Sequence, residues 1–420
     1  MVELGATHRD QQLLCCIREC GPALTAAEAA VASGLPLEQV EAGLLELAVA
    51  TGAQLRVAES GEIRFVYPPH LRRVLLARSW RLRVRVTIEA TWVALFRLIR
   101  CAFGAVLIVL VALVSLIVLA VGLLRLDEDT WSVFGQLLGG TLELLVRVVV
   151  AVFSDQFWFG SPGRVQKADD HVGPQRVEFL ESVYSILFGD GDPNRDLEQR
   201  RWQAIGACLQ KWGGVAIAED LSPLFDLPVA SADAQINTDW ADQAMLPVLL
   251  HFDGHPEVSE QGQLLYRFPA LQSDVVNFLV KPSRSFSERR HRFTRASQGQ
   301  RVGYAVLTAL LLVLSYQLLH WSLTLSFLLG VAWVARIGIA YAWLLILVPL
   351  LRALVIWRCN AAILARNRLR QSWLAWVESD LAPLDQKRRW AADRRRQRPP
   401  VEAGSAYTTE EDLLAQEIDP

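Results

Sequence analysis

The chain has 420 residues, 52% of them hydrophobic and 20% charged, with a mean hydropathy of +0.25. Its 42 Lys and Arg stand against 44 Asp and Glu, a formal net charge of −2, so no whole-chain field points to nucleic acid or to a strongly charged partner. Polar stretches near residues 1–85 and 160–300 alternate with long apolar runs, which excludes a purely water-soluble protein and leaves room for only small polar modules.

The opening MVELGATHRDQQLL lacks the basic stretch and apolar run of a secretory signal, so no cleaved leader is expected. Residues 1–70 predict a small α+β module. Leu13, Leu14 and Ile17 recur at helical spacing, and Thr25 with Glu28 fits a capping box, in which hydroxyl and carboxylate reciprocally bind the amides that open a helix. Ser33-Gly34-Leu35-Pro36 breaks the chain before Leu37 to Ala50 resumes the helical period. Residues 54–57 and 63–67 then alternate around Glu59-Ser60-Gly61-Glu62, as a hairpin does. Helix, turn, helix, helix, hairpin is the winged-helix order.

Residues 71–154 predict a basic linker and a first membrane pair. Trp92 to Leu124 is almost wholly apolar and exceeds the ~20 residues that a helical span needs. Arg72, Arg73, Arg78, Arg81, Arg83 and Arg85 precede it and Asp127-Glu128-Asp129 follow, which by the positive-inside rule holds the first module on the cytosolic face. The next run, 131–153, contains Glu143 and Arg147, four apart on one helical face. It predicts a return span with a paired polar spot; an interfacial helix and an internal ion relay are the alternatives.

Residues 155–275 predict a helical corner and a second module. After a helix over 175–187 comes Phe188-Gly189-Asp190-Gly191-Asp192-Pro193-Asn194. Asp190, Asp192 and Asn194 alternate like the first half of a calcium loop. Arg195 stands where that loop needs glycine, however, and Arg201 where it needs a bidentate glutamate. The motif is therefore expected to be a fixed structural or interaction corner packed on a neighbour, with Asp192 or Asn194 capping the next helix. The pattern of the first module recurs 201 residues later: Leu45 matches Leu246, Val57 matches Val258, Gly61 matches Gly262, and Ile63, Phe65 and Pro68 match Leu264, Tyr266 and Pro269. A second winged helix is expected over about 196–270, with its earlier helices at 197–210 and 218–225. Residues 8–70 hold four cations against eight anions, and residues 175–274 hold six against sixteen, so nucleic acid is not the expected partner.

Residues 276–301 form a basic linker, and 302–357 hold enough apolar chain for a second membrane hairpin, turning near His320-Trp321-Ser322 with Trp321 at an interface. Arg336 falls inside its second half and either snorkels or pairs with Glu143. Arginines at both ends of the hairpin place both ends inside, which requires 131–153 to cross and gives four spans. Residues 358–398 predict a basic amphipathic segment held to anionic headgroups through Lys387-Arg388-Arg389 and Arg394-Arg395-Arg396. The acidic tail 399–420 is expected to be disordered.

Cys15, Cys16, Cys20, Cys101, Cys208 and Cys359 include no CxxC pair and are expected to be free thiols on a reducing side. His251 and His255 lack a third ligand, and the chain has no HExxH, Walker, GxSxG or dinucleotide motif. No catalytic, cofactor-binding or metal-binding residue is assigned.

The run FLESVYSILF from Phe179 to Phe188, the following Gly-Asp-Gly-Asp-Pro-Asn to Asn194, Arg201-Trp202 and Trp212-Gly213-Gly214-Val215 resemble a group of cyanobacterial and plant chloroplast membrane proteins, some labelled as iron–sulfur cluster biosynthesis proteins. The resemblance extends from the first module to the last hairpin and implies a plasma or thylakoid membrane in a photosynthetic cell, with no established activity. Cys15, Cys16 and Cys20 do not have a cluster-ligating spacing, so the iron–sulfur label is not followed. The expected whole is a mainly α membrane protein with about four transmembrane helices and two winged-helix-like soluble modules on the cytosolic side. It would be anchored in membrane lipid and serve as a scaffold or assembly factor recruiting a protein client in photosynthetic membrane biogenesis. A transporter or channel is the alternative raised by Glu143 and Arg336, and a metal-binding or enzymatic membrane protein is the third.

Overall fold

A computed structural model describes residues 8–58, 63–68, 80–124, 179–229, 234–260, 262–272, 282–324, 330–379, 382–396 and 405–408. In chain order the helices are α1 (His8–Cys20), α2 (Ala26–Ser33), α3 (Leu37–Thr51), α4 (Trp80–Leu124), α5 (Phe179–Phe188), α6 (Leu197–Lys211), α7 (Ala218–Leu221), α8 (Ala234–Gln243), α9 (Leu246–Phe252), α10 (Gln298–Thr324), α11 (Ala332–Glu378) and α12 (Ala382–Arg396). The strands are β1 (Ala23–Thr25), β2 (Gln54–Ala58), β3 (Ile63–Val66), β4 (Val215–Ala216), β5 (His255–Val258), β6 (Leu264–Arg267) and β7 (Ser405–Thr408). Two compact units contain them, one of Met1–Val86, Pro193–Arg290 and Ala361–Pro420, the other of Thr87–Asp192 and His291–Asn360.

The first unit holds both small β-containing modules. In the first, Thr25 ends β1 and caps α2: its hydroxyl accepts from the Glu28 amide at 3.2 Å while the Glu28 carboxylate accepts from the Thr25 amide at 3.0 Å. Such a cap is worth about 1 kcal/mol, and it forces the chain to turn from strand into helix at one residue. Leu13, Leu24, Val40, Leu44 and Leu47 are buried beneath, and the Tyr67 hydroxyl donates to the Leu44 carbonyl at 2.8 Å. The antiparallel sheet has the order β1-β3-β2, with Gln54 opposite Val66 and Val57 opposite Ile63.

The second module repeats that plan. Its sheet order is β4-β6-β5, with His255 opposite Arg267 and Val258 opposite Leu264. Every one of these four residues lies 201 positions after its counterpart, so the spacing seen in the sequence is a shared strand register. The helices have diverged more. The expected helix over 218–225 is the short α7 followed by a 3₁₀ turn at Ser222–Leu224, and an additional helix, α8, precedes α9. Both modules contribute to one apolar core, in which α2 lies against α6. Gly206 makes that approach possible, because a Cβ there would meet the Val31 side chain at 2.8 Å and Phe252 at 3.1 Å. Strand β7 adds to the edge of the first sheet beside β2, with Arg56 opposite Thr408. Those four residues fall within the tail expected to be disordered.

The second unit is a bundle whose buried positions follow a three-four spacing. They are Leu107, Val111, Val114, Val118 and Val121 on α4; Tyr304, Leu307, Leu311, Ser315, Leu318 and Ser322 on α10; and Ala335, Gly338, Ala342 and Leu345 on α11. This is the spacing of left-handed helix packing, and the small residues on α11 let its backbone come close to Ser315. Outward positions such as Val109, Leu116, Val313, Leu350 and Leu354 are exposed and apolar, the inverse of a water-soluble bundle. Among the described residues, three helices are long and apolar enough to cross a membrane: Ala94–Gly122, Gln298–Thr324 and Ala332–Glu378. The expected fourth span, 131–153, lies outside the described residues. Two details of the expected hairpin change. The turn expected to start at His320-Trp321-Ser322 comes later, because α10 continues to Thr324 and keeps Trp321 on its packed face at 5% exposure. Helix α11 also runs on past Trp357 to Glu378, since no glycine or proline intervenes.

Candidate functional site

The Gly-Asp motif, the most individual stretch of the sequence, spends its polar groups on its own surroundings. In the apolar unit, the Phe188 ring lies 5.1 Å from Phe103 and 5.0 Å from Tyr184. Gly189 has φ +86°, and a Cβ there would strike the Arg352 guanidinium. That guanidinium donates to the Ser185 and Ile186 carbonyls at 2.9 Å each and to the Phe293 carbonyl at 2.5 Å, so it caps the C-terminus of α5. The Asp190 carboxylate accepts from the Ser185 hydroxyl and the Arg295 amide, both at 3.0 Å. Asp192 lies 3.8 Å from His291, and Gly191 has φ +92° with open space around it. In the other unit, Pro193 opens the turn into α6, and Asn194 does not cap that helix through its side chain. Its amide instead brackets the Arg289 backbone, donating to the carbonyl at 2.8 Å and accepting from the N–H at 2.9 Å. Asp190 is thereby tied to Ser185 and Arg295, and Asn194 to the Arg289 backbone, within the turn that the two glycines allow.

Of the polar residues expected in the membrane, Glu143 and Arg147 lie outside the described residues. Arg336 is exposed on α11, with its guanidinium 5.2 Å from the centre of the Trp333 ring. No group of three or more His, Cys, Asp or Glu residues among the described ones could hold a metal ion.

A buried charge cluster in the first unit had no signature in the sequence. Arg370 and Glu288 are both 3% exposed and joined at 2.8 Å, while Arg366 makes a two-pronged contact to Glu288 at 2.8 and 2.6 Å. Arg370 also donates to Asp226, whose other oxygen takes Arg201. Phe286 has Arg201 at 5.6 Å and Arg370 at 5.3 Å from its ring centre, and Asn367 brackets the Glu288 backbone at 2.9 and 3.0 Å. The hydrogen bonds from Arg366 and then Arg370 hold the Glu288 carboxyl below the usual carboxylate range, despite burial.

Helix α12 departs from its expected use. Lys387 binds Glu219 at 2.6 Å, Arg388 binds Asp220 at 2.8 Å, Arg394 binds Glu257 at 2.9 Å and Arg395 donates to the Val215 carbonyl at 2.9 Å. Ala391 and Trp390 pack on Val215, Ile217 and Leu265. Four of the six cations expected at lipid headgroups, Lys387, Arg388, Arg394 and Arg395, thus dock the helix on the second module, while Arg389 and Arg396 are exposed.

Helix α3 of the first module and its counterpart α9 in the second carry exposed aliphatic surface. Leu45 and Val49 on α3 are 48% and 73% exposed; Leu246 and Leu250 on α9 are 63% and 78% exposed. The two pairs are related residue for residue by the 201-position offset. Glu38 and Glu41 are exposed beside the first pair and Asp253 follows the second; neither helix contains a Lys or Arg, although Arg9 of α1 pairs with Glu46 of α3 at 2.7 Å. Exposed aliphatic area and exposed carboxylates thus lie together on these helices.

No family model and no solved structure matches the chain. It is 28% identical over 426 aligned positions to an Arabidopsis thaliana protein described as uncharacterized and chloroplastic, covering 95% of this chain and 78% of that protein. With three long apolar helices among its described residues, the chain is a membrane-associated protein distantly related to that chloroplastic one.

Proposed function

We propose that this protein is a membrane-anchored scaffold or assembly factor, in which two winged-helix-like modules recruit a basic, amphipathic segment of a protein client. The observation that carries this reading is the exposed aliphatic pair repeated on α3 and α9 within acidic surroundings. In a winged helix that reads DNA, the third helix meets the negatively charged groove and needs cations; three glutamates and no cation on α3 are unsuited to that task. Burial of four exposed Leu and Val side chains would contribute roughly 1.5–3 kcal/mol each before the cost of association, and the carboxylates would select cationic partners. In this reading the chain crosses the membrane four times, with residues 131–153 as the return span and both modules on the cytosolic side. The similarity to a chloroplastic protein supports a photosynthetic membrane, plasma or thylakoid, as the place of work.

The test compares wild type with a Val49→Glu, Leu250→Glu double variant, both purified from native membranes in mild detergent, with Arg396→Ala as a surface control. A client that co-purifies with wild type and control but not with the double variant supports the proposal. An unchanged set of partners, no partner at all, or recovery of nucleic acid in their place overturns it.

A further inference from the structure

Helix α1 carries three thiols, and two of them face each other. Cys16 and Cys20 are four residues apart on one side of the helix, and their sulfurs are 3.2 Å apart. Cys16 is 4% exposed and also approaches the Ala29 carbonyl of α2 at 3.8 Å; Cys20 is half-buried at the last position of α1; Cys15 points to solvent. None of the three belongs to the docking surface described above. Helix geometry sets Cα atoms four residues apart at ~6 Å, within the roughly 4.4–6.8 Å that a disulfide tolerates. The sulfurs must close by about 1 Å to reach bonding distance. Cys20 is the last residue of α1 and is followed by Gly21, at φ +97° with open space around it, so no side chain packs against the chain just past the terminal turn.

The two sulfurs also have different surroundings. The hydrogen bond from Cys16 favours the Cys20 thiolate, while that same bond and then burial keep the Cys16 thiol protonated. The more accessible sulfur is therefore the better nucleophile, with a protonated thiol in contact behind it.

We propose that Cys16 and Cys20 form a redox-active dithiol whose oxidant is a peroxide, with Cys20 as the attacking sulfur and Cys16 as the resolving one. The Cys20 thiolate attacks the peroxide O–O bond, giving a sulfenic acid and releasing an alcohol, or water from hydrogen peroxide. The Cys16 sulfur then displaces hydroxide from the Cys20 sulfur, and the Cys16 proton leaves with it as water. Two thiols and one peroxide become one disulfide, one alcohol and one water; the two electrons lost by sulfur reduce the O–O bond. Bridging draws the Cys16 sulfur from its place against α2, so the oxidation state is felt in the core of the first module.

Trypsin offers a direct test, because Arg18 lies between the two cysteines and the next cleavage site is Arg56. Full-length protein in detergent is treated with hydrogen peroxide, alkylated and digested. Peptides 10–18 and 19–56 should remain joined, two hydrogens lighter than their sum, until dithiothreitol separates them. The link should persist in Cys15→Ser and disappear in Cys20→Ser. Cys16→Ala, which keeps a small apolar group in the core, should leave a Cys20 sulfenic acid that dimedone labels and that wild type resolves. Loss of the link in Cys15→Ser, oxidation of Cys20 to sulfinic acid without a link, or no reaction at Cys20 while exposed Cys359 is oxidised would each overturn the assignment.

Discussion

The Glu288 cluster permits a quantitative test of what holds the water-facing unit together. Glu288→Ala removes the one carboxylate shared by Arg366 and Arg370. Arg366 is 45% exposed at its side chain and can turn to water, but Arg370, at 3%, keeps as its carboxylate partner only Asp226, which Arg201 shares, beside the Asn367 amide oxygen and the Phe286 ring. Breaking a buried pair from one side costs about 3–5 kcal/mol because the remaining charge loses compensation. For a folding unit of ~150–250 residues each kcal/mol lowers the melting midpoint by about 2–4 °C, so a fall on the order of 6–20 °C is expected. A thiol-reactive dye reads this after exposed cysteines are blocked, since Cys16 and Cys208 are buried in the same unit and become accessible on unfolding. Replacing both partners with apolar groups, Glu288→Leu with Arg370→Met, should cost less than the sum of the single changes. The depressed Glu288 value also sets a sign: its contribution is complete above the unfolded carboxylate range of ~4.3 and is lost as pH falls through the lower folded value. If Glu288→Ala melts within 2 °C of wild type, the cluster is solvated and the reasoning fails.

Gly189→Ala should cost about 3 kcal/mol, summing positive-φ strain of roughly 1–2 kcal/mol and weakened hydrogen bonds from Arg352; Gly191→Ala, also at positive φ but in open space, should cost only the strain. Equal melting shifts for the two variants would show that Arg352 does not constrain the corner. His251, stacked on Trp202 with ring centres 3.9 Å apart, is pulled down to about 4 by burial, so the unfolded chain takes up its proton first as pH falls. Its contribution is full above ~6.5 and is lost between there and about 4; His251→Phe should flatten the acid limb of the stability–pH profile, and an unchanged limb would refute the assignment.

Features written in adjacent residues were legible before folding. Thr25 and Glu28 are three apart and make the capping box; Trp92–Leu124 is apolar enough to declare a helix; the 201-residue offset predicted two sheets of one register. What was not legible depends on partners far apart in the chain. Glu288 meets Arg370 across 82 residues and Asp226 meets Arg370 across 144, and nothing local distinguishes these arginines from the others flanking a membrane helix. Counting cations at a boundary cannot separate those that face headgroups from those that face carboxylates, which is why Lys387, Arg388 and Arg394 were assigned to lipid. The burial of Trp321 was hidden for a related reason, since it depends on the three-four packing of α10 against its neighbours.

Two copies of one module need share only what their own stability demands. The strand registers satisfy that demand, and the helices, free of it, have drifted as far as the insertion of α8. Val49 and Leu250, at 73% and 78% exposure, contribute almost nothing to either core; a polar side chain at either position would cost the module within about 0.5 kcal/mol. Internal packing therefore does not account for aliphatic residues at both equivalent sites, beside Leu45 and Leu246 and among carboxylates. In the proposed reading the cause lies outside the module, in a client that is itself apolar on one face and positively charged around it.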